Sequence, residues 1–209
     1  IAGQAASIQG GRLQLTIDNQ GLGFSSFSIP ALEGSSEGFH ATFDIELFDS
    51  VGANPPADGF SFNYGNAPLG TLGWAEEGID PNVASENVSF EVDTWMNADA
   101  EQGVNISGVA GGLDLGQLAF TNGVILDDGQ RVTGTVEIEW DPVNGASFTT
   151  TGLNTNADFS TVSTAAFQAD DDFTFIISAR VGGANEDLYI DNLAVSTGPP
   201  GDRGCVTTS

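Results

Sequence analysis

Two stretches carry residue types at spacings that could do chemistry: ADGFSFNYG at residues 57–65 and SFEVDTWMN at residues 89–97. In the second, Val88, Phe90 and Val92 alternate with Ser89, Glu91 and Asp93. If the apolar set enters a core, a strand turns both carboxylates to the opposite, wet face, about 7 Å apart. Beyond Asp93 the alternate positions are Trp95, Asn97, Asp99 and Glu101. Calcium takes roughly six to eight hard oxygens from carboxylates, amides and main-chain carbonyls, and this run offers all three kinds. In the first stretch Asp58 stands before Gly59, as a turn residue or as a carboxylate presented by a loop. Plainer readings stand beside these: acids are common on wet strand faces, and Trp95 could cover the rim of a core.

The elements that must position these residues are strands. In FHATFDIELF, Phe39, Ala41, Phe43, Ile45 and Leu47 fall on one face, and His40, Thr42, Asp44 and Glu46 on the other. RVTGTVEIEW repeats the pattern with Val132, Val136, Ile138 and Trp140, and FTFIISARV repeats it with Phe173, Phe175, Ile177 and Val181. Further strands are expected near residues 12, 59, 87, 103, 146 and 187, with turns at Asp128-Gly129, Asn144-Gly145 and Gly182-Gly183. No stretch of a dozen residues has helical periodicity, and no repeat or linker divides the chain. The expectation is an all-β fold, one antiparallel β-sandwich of the jelly-roll type over residues 1–197. GPPGDRGCVTTS, residues 198–209, lacks an apolar pattern and is expected to form a Gly/Pro-rich tail. His40 has no evident partner, and the acidic run Asp170–Asp172 reads as a solvated loop.

Charge narrows the partners. Four Arg, no Lys and twenty-nine acids give −25, so nucleic acid phosphates and anionic lipid surfaces repel this chain. No apolar run approaches the roughly 20 residues a membrane helix needs. Acidic, Lys-free chains keep soluble in salty water and attract divalent cations. With Ile1 as first residue, the expectation is therefore a processed protein, secreted or at the cell surface. Cys205 is a single thiol, so it forms no disulfide within the chain. Asn87-Val-Ser89 and Asn105-Ile-Ser107 are sequons that matter only in a glycosylating source.

The two stretches resemble, in order and spacing, those of the L-type lectins, the legume-lectin branch of the concanavalin A-like lectin and glucanase superfamily. The likeness covers mainly residues 57–107, more loosely 129–152 and 188–195. It implies a concanavalin A-like sandwich that binds carbohydrate with the help of calcium. By resemblance, Asp58 accepts hydrogen bonds from sugar hydroxyls, and Trp95 stacks on the sugar. Asn97 donates to it, and the Gly70–Gly73 loop of PLGTLGW supplies a backbone donor. Asp93, Asn97 and the Trp95 carbonyl would hold the ion, with Asp99 or Glu101 completing it and Glu91 an outer or water-mediated ligand. The chain departs from the family where a metal-binding His is expected, since it reads GVNIS there, so no manganese-type site is carried over.

The expected function is a non-catalytic, calcium-dependent lectin whose partner is a glycan or polysaccharide. Retaining glucanases of the superfamily need a second acid about 5 Å from the nucleophile, and Trp95 and Met96 stand in its place, so hydrolysis is not expected. The alternative is a self-assembling structural or adhesive subunit, a homo-oligomer or larger assembly built through the C-terminal tail.

Overall fold

Alternation along the chain becomes two packed sheets. The computed structural model describes residues 2–3, 6–18, 21–50, 55–72, 76, 78–95, 102–201 and 204–207. The strands are β1 Ala2–Gly3, β2 Ser7–Gln9, β3 Arg12–Thr16, β4 Gly23–Ile29, β5 Phe39–Phe48, β6 Gly59–Gly65, β7 Asn87–Asp93 and β8 Gly103–Ala110. They continue with β9 Leu113–Asn122, β10 Arg131–Asp141, β11 Gly145–Thr151, β12 Asp158–Val162, β13 Thr174–Val181, β14 Asp187–Thr197 and β15 Gly204–Thr207. A 3-10 turn spans Ser35–Glu37.

One sheet has the order β1-β4-β13-β6-β7-β8-β9; the other has the order β12-β11-β10-β5-β14-β3-β2, with β15 also on β14. All pairings are antiparallel, as hairpin-rich alternation requires. The chain is thus an antiparallel β-sandwich, with its core between the sheets. Phe43, Ile45, Phe90, Val92, Val136, Ile138, Phe175 and Ile177, all expected inside from their phase, are buried there. Aromatic rings dominate: Tyr64 stacks on Phe175 at 4.8 Å between centroids, and Phe39 packs on both Tyr64 and Trp140 at 5.0 and 6.0 Å. The polar ends of these rings are satisfied, Tyr64 Oη donating to Ser35 Oγ at 3.0 Å and Trp140 Nε1 to Thr164 Oγ1 at 2.9 Å.

The sheets differ on their outer faces. On β5 every second residue is half-buried, the mark of a strand with one wet side. On β7 all seven residues are buried. Here the stretch from Gly78 to Ala84 closes over the sheet, and Ile79 and Ala84 form a small second core with Ala67 and Ile176. Beneath it runs a buried polar ladder. Ser89 Oγ donates to Asn63 Oδ1 at 2.6 Å, Asn63 Nδ2 donates to Ser61 Oγ at 2.8 Å, and Ser61 and Ser178 share a hydrogen bond of 3.2 Å.

Two expectations change. Residues 204–207, placed in the tail, pair with Ala194–Thr197 of β14 in the same chain. His40, expected to lack a partner, has Nε2 at 3.1 Å from Glu137 Oε1 across the β5–β10 pair.

Candidate functional site

Of the expected site residues, Asp58, Glu91, Asp93 and Trp95 lie where β6 begins and β7 ends. Gly59 pairs with Asp93, and Asp58 sits one residue upstream. Its backbone is fixed on both sides: Asp58 N donates to Arg180 O at 3.1 Å, and Thr94 N donates to Asp58 O at 3.2 Å. The Ala57–Asp58 peptide is cis. Gly59 has φ 115°, and a Cβ there would run into Val92 O, so only glycine lets the two strands approach this closely. Asp58 and the Thr94–Trp95 corner are therefore brought together by the β6–β7 register itself.

The expectation of a wet carboxylate face is overturned. Glu91 is 3% exposed and Asp93 4%; Gly78 lies against Glu91 on the face that alternation left outside, and Asp93 is near Glu76 and Glu186. Glu91 accepts from Ser107 Oγ, and Asp93 Oδ1 accepts from Trp95 N at 2.8 Å. Gly78 is held against this face, where a Cβ would meet Ser89 Oγ and Glu91 Oε1. Asn87 and Asn105 of the two sequons are buried as well, which removes both as glycosylation sites in the folded chain.

Asp58 is likewise not a solvent-facing loop acid. It is 8% exposed and accepts from Arg180 Nε through Oδ2 at 3.0 Å, while the same guanidinium reaches Glu76 through Nη2. Burial raises the Asp58 pKa, and the Arg180 charge and hydrogen bond oppose that shift. Burial pushes Glu76 up to about 9 against the pull of Arg180, with Asp58 and Asp93 adding repulsion. Burial pushes Glu186 up to about 8; the Thr94 hydroxyl opposes this, while Asp58, Asp49 and Asp93 reinforce it. In this geometry neither Glu186 oxygen nor Thr94 Oγ1 closes a hydrogen bond, and Glu76 Oε2 and Asn105 Oδ1 are buried without one too.

Sequence reasoning missed Arg180, Glu76 and Glu186. A signal existed for the first: Arg180 is one of only four cations and lies in the outward phase of FTFIISARV, two residues after Ser178. The two acids lie in Gly-rich segments without periodicity, where nothing marks them.

Trp95 is half-buried and, with Thr94, lines a cavity of about 380 Å³ whose other walls include Pro55, Pro56, Val124 and Leu126. Gly70 lies elsewhere. Its N–H donates to Ser28 Oγ at 3.0 Å, and Ser28 pairs with Ile176, four residues along β13 from Arg180 and so about 13 Å away. Gly73, Asn97, Asp99 and Glu101 lie outside the described residues. Among the described residues no group of three or more His, Cys, Asp or Glu is arranged to hold a metal ion. Asp93, Glu91 and the Trp95 carbonyl are hard oxygen donors, and the partnerless oxygen of Asn105, opposite Glu91 on β8, is of the same kind. This donor set fits calcium chemistry.

Comparison with solved structures shows that this two-sheet sandwich is a legume-lectin-like fold. The chain is similar to peanut lectin solved with a 9mer peptide, with TM-score 0.63 and 16% identity over 99% of this chain and 92% of that one. It is similar to the VIP36 exoplasmic/lumenal domain in its Ca2+/Man-bound form, with TM-score 0.66 and 12% identity over 99% and 89%. Basic winged bean lectin with Tn-antigen gives TM-score 0.63 and 19% identity over 95% and 92%. At these identities the likeness is one of fold. No protein-family model matches the chain, and no curated protein does.

Proposed function

We propose that this chain is a non-catalytic, calcium-dependent lectin, acting outside the cell or at its surface, with a glycan or polysaccharide as its partner. The observation that carries the reading is the corner where β6 meets β7: Asp58 and Thr94 are hydrogen-bonded to one another through the backbone, beside the Trp95-lined cavity. A sugar presents hydroxyl donors and acceptors and an apolar C–H face, and a carboxylate, an amide and an indole ring meet those needs. Asp58 has Oδ2 committed to Arg180, which leaves Oδ1 as its acceptor for a hydroxyl. Fold likeness to a protein solved in a Ca2+/Man-bound form supports the same assignment.

Calcium would be held by Asp93, the Trp95 carbonyl and Asn97, with Asp99 or Glu101 completing the shell and Glu91 outside it. The ion's part is to fix the Trp95–Asn97 segment and to offset repulsion among buried carboxylates. Asp93 and Glu91 hold their places through β7, and Arg180 orients Asp58. The backbone donor assigned to the Gly70–Gly73 loop falls to Gly73, since the Gly70 N–H is spent on Ser28. The motif has no second acid at Trp95 or Met96, which supports binding without hydrolysis.

The test is a glycan array with calcium and with chelator. Binding that disappears with chelator, and in Asp58→Asn, is the expected result; binding unchanged in Asp58→Asn would remove Asp58 from the site. Calcium should raise the melting temperature, and Asp93→Ala should abolish the rise.

A further inference from the structure

The outer face of the eight-stranded sheet carries a groove of about 320 Å³ on the opposite sheet from Asp58. Its lining comes entirely from strands β3, β5, β10 and β14, so no loop closes either end. Two rows of side chains cross three neighbouring strands in register: Thr133–Glu46–Tyr189 and Thr135–Asp44–Asp191. The rows lie about 7 Å apart, two residues along each strand, with the backbone of Ile45 and Gly134 as the floor between them.

These side chains are held in place without a ligand. Asp44 accepts from Thr135 Oγ1 at 2.9 Å and from Asn192 Nδ2 at 2.7 Å. Asn192 reaches it because β14 bulges between Asp191 and Ala194, with Asn192 at φ 52°. Glu46 is bridged by Arg12 at 3.2 Å and by Arg131. The Arg12 guanidinium lies 4.2 Å from the centre of the Tyr189 ring. Two of the four cations of a chain with net charge −25 thus meet on Glu46, Arg12 from within the groove and Arg131 from outside its lining.

We propose that this groove is a second carbohydrate site, which takes an internal stretch of a neutral polysaccharide. Each carboxylate keeps lone pairs for sugar hydroxyls after its protein partners are counted, the Arg12 guanidinium and the threonines add donors, and the Tyr189 edge and the Arg12 stem offer apolar surface. Preordered side chains lose little freedom on binding, which favours a rigid, repetitive ligand. Charge decides the polymer class. Asp44, Glu46 and Asp191 repel a polyanion, and the two arginines, already bridged to Glu46, leave no unmet charge for a small ion. Open ends admit a chain running across the strands rather than a terminal sugar alone.

This site does not depend on the Asp58 reading, and one experiment separates them. The full chain, Asp58→Asn, Tyr189→Ala and Asp191→Ala are run through gels containing galactomannan, xylan or mixed-linkage β-glucan at low and high salt. Asp58→Asn is expected to keep its retardation by at least one polymer, with Tyr189→Ala and Asp191→Ala each weakening that binding tenfold or more. Asp191 is exposed and accepts only a short-range bond from Asn192 N, so its loss leaves the fold intact. No retardation of the parent chain by any of these polymers, retention that vanishes at high salt, unchanged binding in both groove variants, or complete loss in Asp58→Asn alone would each overturn the proposal. A glycan array of short saccharides on Asp58→Asn reports separately on the first site.

Discussion

β5 and β7 alternate apolar and polar residues in the same way, yet their polar sides meet different surroundings. On β5, Asp44 and Glu46 look onto an open groove, and their partners are arginines, a threonine and an asparagine that water also reaches. On β7, Ser89, Glu91 and Asp93 are buried, the first two against Gly78, in a layer where Arg180 is the one cation among several acids of the described residues. Similar residue types therefore do different work. A carboxylate on the wet sheet is a surface group worth little to stability, whereas one beneath the cover must be hydrogen-bonded, paired or protonated.

The difference can be broken from the buried side first. Arg180→Met leaves Asp58 buried without its counter-charge and Glu76 without its guanidinium donor, and the expected loss is about 3–5 kcal/mol in chemical denaturation at neutral pH. Asn63→Ala removes the centre of the polar ladder and should cost about 1–3 kcal/mol, while Thr135→Val on the wet sheet should stay within about 0.5 kcal/mol.

A pH series sharpens the contrast. Glu76 and Glu186 titrate near 9 and 8 in the folded chain, above the ordinary carboxyl value of 4.5, so the folded state holds protons that the unfolded state has released. Stability from these groups is complete below about pH 4.5 and is lost as pH rises through 8 and 9. In chelator, the melting temperature should fall by about 3 °C or more between pH 5 and 8.5, and Glu76→Gln should flatten that slope. Another small effect belongs to the wet sheet: Arg131→Ala, breaking a half-exposed pair with Glu46, should cost less than about 1 kcal/mol and less still in high salt.

The same two strands show what was legible in the sequence. Period-two patterns located β5, β7, β10 and β13 and the phase of their buried residues, because one side of every strand faces the common core. β4, GFSSFSI, and β9, LDLGQLAFTN, were missed. Serines blur the alternation in the first, and Gly116 interrupts the second at φ 66°. Alternation says that Glu91 and Asp93 leave the core, but not whether another layer waits outside. That layer, Gly78 to Ala84, has neither a strand nor a helix pattern to announce it. The motif at Asp58 was legible as an order of residues. Its burial against Arg180 was not, since Arg180 lies 122 positions away and arrives only through the pairing of β13 with β6. The tail was misread for the opposite reason, as GCVT is too short to show a period and needs only a free edge of β14 to become a strand.

The most direct measurement is calorimetric titration of the full chain with a glycan found on the array, in calcium and in chelator, for the parent and for Asp58→Asn. The account predicts saturable binding in calcium, no detectable heat in chelator, and an affinity at least about a hundredfold weaker in Asp58→Asn, the size expected for loss of a charge-assisted acceptor in a buried site. Equal affinity with and without calcium, or in the variant and the parent, would contradict it.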